Sequence, residues 1–479
     1  MGLIILLPAL ACWIVMARGG LRQALLAVYL PCLLLLPQYY IYRLPHLPPL
    51  SFADAAIIPL GAGMLITEMR RWRFTWMDLW VFLSAASVGL SEALSTELAN
   101  GQWIHLFSGG AITSETLTTN IANGELFFID GLLTMVLPYM AGKLLIEHQQ
   151  QVGLPMRRKF VARIVGLLAI VAFISVHDFV ARVSTWQQVG VHFFPDQFVH
   201  WIPQVRWGFG RIAGPYGHAI LAGMVFLMGL VYVVWLRSVD PAWGSRRLIA
   251  GLPINLRGLI LAAIAGGLLM TQSRGPWIGV GLALVFALLT RYLSVGKAAV
   301  AFLILAGVFS IAAYYIGNAY TQKQSSQVSN EEQRNAIYRR ELIGNYMPIV
   351  MQRKAFGWGV LTYPKIDGQD SIDNQYLLLA VTQGFFGLSL FLAVAAGTAA
   401  RLLRLLAVPR LAEDRLLLFS HLALLIGLLT TLATVYMGEQ VVMLFYLYAG
   451  WVQGMSPAPV DAPATNFPAR PLRFRKVLV

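Results

Sequence analysis

Arg211 is the first residue of this 479-residue chain whose setting points to chemistry. It lies in the segment 209–218, which contains three glycines and one proline and leads directly into a long apolar run. Glycine lets the backbone approach a ligand closely, and the free amide groups that open a helix bind anions. Arg211 therefore marks a candidate anion site, with a loop arginine paired to lipid phosphate as the alternative. His218 is the last residue of the segment. It is either a structural histidine at the membrane interface or an acid, base or hydrogen-bond donor.

Arg274 occupies a very short turn, residues 271–277, between two apolar stretches. Ser273 is a plausible helix cap in this turn, and Pro276 falls where a helix would begin. An arginine in so short a turn cannot extend far toward water. We therefore expect it to meet an anion or a carboxylate of the surrounding bundle.

Arg339 and Arg340 lie on a predicted amphipathic helix from Glu331 to Met351. Two explanations of these adjacent arginines are equally good: a charged helix face exposed to solvent, or contact with a ligand. The glycine-rich aromatic segment that follows favours the ligand, because aromatic rings such as Trp358 commonly stack on the apolar faces of sugars. The predicted buried face of the helix carries four side chains at helical spacing: Tyr338, Leu342, Tyr346 and Ile349.

Three aspartates precede the next apolar run at a spacing of three residues: Asp367, Asp370 and Asp373, the last followed by Asn374. They lack the glycine and the terminal glutamate of an EF-hand loop, so we expect no metal site. A carboxylate beside the membrane, at the mouth of a cavity, suits a general base or a ligand of an acceptor sugar. Glu439, in a short turn, is a weaker candidate of the same kind.

These residues together suit a phosphate-bearing lipid as substrate. Arginines hold and neutralise a pyrophosphate leaving group, and a carboxylate or histidine takes the proton of an attacking hydroxyl. A transporter of anions would show the same composition.

The elements that must position these residues are membrane helices. Hydrophobic residues make up 58% of the chain and charged residues 12%, with a mean hydropathy of +0.66. These values exclude disorder, collagen and a secreted disulfide scaffold, and Cys12 and Cys32 both fall in apolar runs. We predict an all-α polytopic membrane protein with about 12–13 transmembrane helices and a large periplasmic loop carrying short helices. The predicted spans are 2–17, 23–42, 53–69, 75–95, 126–145, 160–176, 216–236, 258–272, 276–293, 298–317, 374–399, 416–437 and 440–455.

The positive charges favour one orientation of these helices. Placing alternate loops in the cytoplasm, beginning with the loop of Arg18 and Arg22, puts 24 of the 36 lysines and arginines inside. This satisfies the positive-inside rule and predicts a periplasmic N-terminus, a cytoplasmic C-terminus and a retained first helix rather than a signal peptide. The net charge of +14 then indicates no nucleic-acid partner. Three long segments remain outside: 96–125, 177–215 and 318–373.

Few charges fall within the predicted spans, chiefly Asp54, Asp78 and Asp130. We interpret them as stabilising helix contacts near the membrane interfaces, with a proton relay as the alternative. The chain shows no pairing of two halves, which many transporters have, so transport is the less favoured function.

Three segments of the chain resemble the O-antigen ligase and O-antigen polymerase superfamily of bacterial inner-membrane glycosyltransferases. Residues 211–218 (RIAGPYGH) look like the family's arginine- and glycine-containing segment that opens a span, and residues 273–277 (SRGPW) are similar to its Ser-Arg-Gly turn. The run from Arg340 through FGWG at 356–359 to NQYL at 374–377 resembles its large periplasmic loop. The resemblance covers residues 205–400.

The resemblance implies transfer of a glycan from a polyprenyl-pyrophosphate carrier to an acceptor hydroxyl, with inversion and without a metal or other cofactor. Arg211 and Arg274 would bind the pyrophosphate, and Arg339 or Arg340 would close over it. The implied partners are the lipid-linked glycan, a glycan or lipid acceptor and membrane lipids, with a chain-length regulator or other polysaccharide assembly proteins as possible additions. His218, Asn374, Trp358 and Tyr376 complete the predicted substrate contacts.

The chain departs from the ligase pattern at Asp373, where the family has histidine before the equivalent of Asn374. This favours a polymerase of exopolysaccharide or O-antigen repeat units, with Asp373 in the place of the histidine, over a ligase that transfers the glycan to lipid A core. We expect N-terminal helices in 1–205, a ligase- or polymerase-like core in 206–400 that includes the loop 318–373, and further helices in 401–455. The last 24 residues, 456–479, are expected to form a disordered cytoplasmic tail.

Overall fold

The computed structural model of the chain describes residues 2–99, 103–108, 111–116, 124–147, 156–197, 204–247, 255–293, 331–366, 369, 371–408 and 412–455, with short helical pieces between 296 and 305. Its helices are α1 (Leu7–Ala24), α2 (Leu30–Leu35), α3 (Phe52–Thr67), α4 (Trp76–Ala99), α5 (Gly124–Gly131), α6 (Leu137–Leu145), α7 (Met156–Ala181), α8 (Thr185–Phe193), α9 (Ala219–Val239), α10 (Leu256–Met270), α11 (Arg274–Tyr292), α12 (Glu331–Gln352), α13 (Gln375–Ala407), α14 (Ala412–Leu432) and α15 (Glu439–Gly454). Two antiparallel hairpins pair β1 (Trp103–Ser108) with β2 (Ala111–Thr116) and β3 (Val205–Arg206) with β4 (Phe209–Gly210).

Helices long and apolar enough to cross a membrane dominate the described residues. Seven helical stretches meet this criterion, and three shorter apolar helices accompany them: Phe52–Thr67, Leu256–Met270 and Arg274–Phe286. The prediction of an all-α polytopic membrane protein is therefore confirmed. Most of the predicted span 298–317, and the whole predicted tail 456–479, lie outside the described residues.

The first 34-residue helical stretch, Gly2–Leu35, turns back on itself at Gly20. Gly20 has φ 79° and ψ 176°, a conformation that is essentially restricted to glycine. Leu7 and Leu35 line one shared groove, whereas a straight helix would separate them by about 40 Å. The two spans predicted on either side of this turn are therefore separate antiparallel segments.

Helix α13 contains a second reversal, at Gly384, inside the single span predicted for residues 374–399. The rings of Tyr376 and Phe391 lie 6.1 Å apart, although a straight helix would separate their backbones by about 22 Å. Gly384 has φ 67° and ψ −171°, so the chain doubles back there. The predicted span 374–399 is wrong in this respect, because residues 375–383 form a short separate helix.

The segment 354–359 docks by its backbone against this reversal. The amides of Trp358 and Gly359 donate to the carbonyls of Val381 and Thr382, at 2.9 and 2.8 Å. A Cβ on Gly384 would lie 2.4 Å from the carbonyl oxygen of Ala355, which is too close for any side chain. The two stretches of backbone are therefore in direct contact.

Gly384→Ala should destabilise the protein by at least about 1–3 kcal/mol, because alanine is strained at positive φ and its Cβ meets the docked backbone. The thermal unfolding midpoint in detergent measures the effect. Gly344→Ala, in α12, is the matched control, because a Cβ there meets no atom within 4 Å. Equal midpoints for the two variants would contradict the docking contact.

Helix α12 confirms the predicted amphipathic helix of the loop. Leu342, Tyr346 and Ile349 are buried and pack with Trp358 and Val381 in a small hydrophobic cluster. Tyr338 packs against the edge of this cluster. Helix α12 therefore packs on residues 375–383, the part of α13 that precedes the reversal at Gly384.

Asp78 joins two of the membrane helices. Its carboxylate lies 2.6 Å from Nζ of Lys143 and accepts the hydroxyl of Tyr139 at 2.7 Å. Asp78 is on α4, whereas Lys143 and Tyr139 are on α6. This is a contact between helices of the kind predicted for the few charges within the spans.

Candidate functional site

A polar cavity of about 480 Å³ lies where the loops before α9, α13 and α15 meet, at what we call the loop face. Three of the predicted site residues line it: Arg211, His218 and Asp373. Asp373 lies more than 150 residues after Arg211 and His218 in the chain, so only the fold brings it to them. The other polar side chains of the cavity wall include Tyr39, Asp178, Gln187, Gln204, Ser371 and Tyr436.

Arg211 connects the loop before α9 to the turn before α11. Its Nε donates to the carbonyl oxygen of Thr271 at 3.1 Å, and its Nη2 donates to Oγ of Ser273 at 2.9 Å. Nη1 also donates to Oε1 of Gln204. The two segments predicted to bind an anion are therefore neighbours, held by one guanidinium.

The turn before α11 presents Arg274 at the first residue of that helix. Ser273 does not cap the helix through its side chain, contrary to the prediction. Its hydroxyl instead donates to Thr271 O at 3.1 Å and accepts from Arg211. A Cβ on Gly275 would lie 2.4 Å from Oγ1 of Thr434, so the turn packs directly against the loop before α15.

Four arginines, of which Arg211 lines the cavity, form a cationic group at this end of the helices: Arg206, Arg211, Arg274 and Arg339, hereafter the arginine cluster. Arg339 donates to the carbonyl oxygen of Thr434 at 3.4 Å. Both arginines of α12 are exposed, yet many protein atoms surround the Arg339 guanidinium, and this desolvation lowers its pKa; the charge of Asp373 opposes the shift, and those of Arg206 and Arg274 add to it. It is therefore Arg339 that the structure brings to the cluster.

His218 begins α9 as a helix cap, and its Nδ1 accepts the backbone N–H of Ile220 at 3.2 Å. Burial lowers the pKa of His218; Asp373 opposes this shift, and Arg211 and Arg339 add to it. The ring is therefore neutral at pH 7. Because Nδ1 accepts a hydrogen bond, the proton of the neutral ring is assigned to Nε2, which makes His218 a hydrogen-bond donor rather than a base.

His218 should make the protein less stable in acid. An unfolded histidine binds a proton near its ordinary pKa of 6.5, whereas the folded one binds it only at lower pH, so stability falls as the pH drops through 6.5 and below. The thermal unfolding midpoint at several pH values measures this slope. His218→Asn keeps a good helix cap and should reduce the slope; an unchanged slope would contradict the buried neutral ring.

Asp373 is held by its neighbour Ser371, whose hydroxyl donates to Oδ1 at 2.8 Å. Its charge acts on His218, Arg339 and Tyr436, and burial together with Asp373 raises the pKa of Tyr436. The carboxylate therefore lies among the groups expected to bind and to react. The predicted partners Asp367 and Asp370 lie outside the described residues.

Three residues that were predicted to contact the substrate form hydrogen bonds to the protein backbone instead: Asn374, Tyr376 and Trp358. Oδ1 of Asn374 caps α13 by accepting the N–H groups of Tyr376 and Leu377 at 3.0 and 3.1 Å. The hydroxyl of Tyr376 donates to Leu429 O at 2.7 Å. Trp358 is 7% exposed and donates to Ile349 O, so its ring face is not open to a sugar. These positions support the start of α13, and thereby Asp373, rather than a substrate.

Glu439 lies in a smaller adjoining cavity of about 230 Å³, which shares Tyr39, Gly217 and Tyr436 with the first. The carboxyl group of Glu439 interacts electrostatically with those of Asp54, on α3, and Asp130, on α5. Glu439 is therefore associated with these helices rather than with the arginine cluster.

Several residues of the site escaped the sequence analysis. Arg206 donates to Gln272 O at 2.7 Å from the hairpin before Arg211, and Asp178 and Tyr436 line the cavity. Arg206 carried one usable signal, since it lies five residues before Arg211 in the same external segment. Asp178 and Tyr436 carried none, because neither stands in a motif.

The fold and this cavity define a polytopic membrane protein with an arginine-rich polar site at one end of its helices. Residues 259–392 match the family model of O-antigen ligase, which confirms the predicted resemblance to the O-antigen ligase and polymerase superfamily. The match supports a multi-pass inner-membrane protein of the glycosyltransferase-like ligase or polymerase type, acting on a lipid-linked glycan and an acceptor. It includes Arg274, Arg339 and Asp373, whereas Arg211 and His218 precede it. No curated protein matched the chain.

Proposed function

We propose that the protein polymerises polyprenyl-pyrophosphate-linked oligosaccharide repeat units of an exopolysaccharide or O-antigen, with the loop face in the periplasm. The observation that carries this proposal is the cavity in which Asp373 and the neutral His218 meet Arg211 of the arginine cluster. A base, a donor and a cation in one cavity, with further arginines close to that cation, suit transfer from a pyrophosphate.

The proposed reaction is a single displacement. The acceptor hydroxyl oxygen forms a bond to the anomeric carbon while Asp373 takes the hydroxyl proton. The bond between that carbon and the pyrophosphate oxygen breaks, and the leaving pyrophosphate keeps the electron pair. The arginine cluster offsets its negative charge, and Nε2–H of His218 donates to an oxygen of the substrate. One displacement inverts the anomeric carbon.

A ligase is the second candidate, because the family model that matches the chain is that of O-antigen ligase. The aspartate before Asn374 favours the polymerase. The two functions differ in the acceptor. Transport is the third candidate and requires no bond to break.

The test is turnover of a polyprenyl-pyrophosphate oligosaccharide by the purified protein, alone and with a lipid A core acceptor. Products that grow by whole repeat units support the polymerase. Transfer to lipid A core would make the protein a ligase, and no turnover with any acceptor would favour transport.

Arg274→Ala should lower turnover by about 10²-fold, because a charge opposite the leaving pyrophosphate is lost. Quantified product from the same assay measures this. Arg340→Ala is the matched control, because it removes an exposed arginine of the loop face outside the arginine cluster. Equal losses in both variants would indicate a general effect of positive charge and contradict the proposed pyrophosphate site.

A further inference from the structure

The hairpin of β3 and β4 places a tryptophan at an unusual position. Its two-residue turn consists of Trp207, with φ 52°, and Gly208, with φ 81°. Turns with two positive φ values favour Asn-Gly, because L side chains other than asparagine and aspartate rarely adopt this conformation. Trp207 therefore occupies a position that disfavours it on backbone grounds.

The rest of the hairpin is anchored to the protein. Arg206 donates to Gln272 O at 2.7 Å, and the ring of Phe209 stacks on that of Phe179 with centroids 4.6 Å apart. The amide of Arg211 closes the base of the hairpin by donating to Gln204 O at 2.7 Å. The turn is thus held rigidly, and Trp207 remains 60% exposed at its tip.

This tip stands beside the arginine cluster. The ring of Trp207 lies 6.2 Å from that of Trp277, which follows Arg274 by three residues on α11. Trp277 is itself fixed, since its Nε1 donates to Leu268 O at 3.1 Å. An exposed aromatic face is therefore held next to Arg206 and Arg274, two of the cations that would bind the pyrophosphate.

We propose that Trp207 stacks on the sugar attached to the pyrophosphate and so selects a glycan-bearing donor. This inference rests on the proposed function and adds a residue that distinguishes a loaded carrier from an empty one. A glycan is the occupant because the sugar directly follows the pyrophosphate in the donor, and pyranose rings present apolar faces to aromatic rings. A tryptophan that only anchored the hairpin in the membrane interface would need no strained turn.

Trp207→Asn tests the proposal without threatening the fold, since asparagine favours this turn. The experiment measures the binding of two probes to the purified full-length protein: a polyprenyl-pyrophosphate oligosaccharide and polyprenyl pyrophosphate without sugar. We expect about tenfold weaker binding of the first probe and unchanged binding of the second. Trp207→Phe should retain part of the difference. Trp76→Asn, which replaces another exposed tryptophan, at the start of α4, should bind both probes as the wild type does.

Equal weakening for both probes would overturn the proposal, because the effect of Trp207 would then fall on the polyprenyl pyrophosphate that the probes share. Unchanged binding of both probes would also overturn it. Because binding requires no turnover, the two hypotheses fail separately. Discrimination between the probes that depends on Trp207, in a protein without turnover, supports this proposal and contradicts the proposed function. Turnover without such discrimination supports the proposed function and contradicts this proposal.

Discussion

Asp373→Asn should lower the rate constant kcat of glycan transfer by about 10²–10⁴-fold, the usual contribution of a general base. Asparagine has the same size, and its Oδ1 still accepts the hydroxyl of Ser371. It does not take up a proton at neutral pH. The substitution also removes a negative charge beside Arg339, so the anionic donor should bind at least as tightly. The expected result is a loss in kcat without a rise in KM, measured by steady-state kinetics on the lipid-linked oligosaccharide.

Asp178 is the matched control, because it is a second carboxylate in the wall of the same cavity. Its Oδ1 already accepts the amide and the hydroxyl of Thr185, at 2.9 and 2.5 Å, and thereby fixes the start of α8. Asp178→Asn should keep kcat within about threefold of the wild type, since the amide oxygen accepts the same hydrogen bonds. An inactive Asp178→Asn together with an active Asp373→Asn would move the base across the cavity and contradict the assignment.

The turns between helices were predictable from the sequence where charged residues interrupt an apolar run. The turn at Gly20 could be predicted because Arg18 and Arg22 interrupt the apolar run and cannot lie within a membrane. The reversal at Gly384 carries no such signal, because aromatic and apolar residues surround the glycine. It forms because the backbone of 354–359 docks there, and a contact between distant segments leaves no periodicity in either of them.

The residues of the site also differ in whether the sequence alone could identify them. Arg211 and Arg274 could be recognised because an arginine in a tight turn beside an apolar run requires a partner. Trp358 and Tyr376 were assigned to the substrate because they lie in family-like motifs, yet both hold the backbone that positions Asp373. Proximity in sequence could not separate the residues that touch a ligand from those that support them. Trp207 was missed because the strain of its turn is visible only in the backbone angles.

Arg211→Lys should lose nearly as much turnover as Arg211→Ala, on the order of 10²–10³-fold. Lysine keeps the positive charge but replaces a planar fork with a single ammonium group. The guanidinium of Arg211 uses Nε for Thr271 and Nη2 for Ser273, and so holds the turn that presents Arg274. The lysine variant therefore tests whether this link or the charge alone is required, with turnover of the lipid-linked oligosaccharide as the measurement.

Ser273→Ala separates the two roles of Arg211. It removes the acceptor for Nη2 while it leaves every charge in place, so it should cause a smaller loss than Arg211→Lys. If the charge alone mattered, Arg211→Lys would retain most activity and Ser273→Ala would be silent. If the link matters, both variants lose activity in that order, because Arg274 is then no longer held opposite the leaving pyrophosphate.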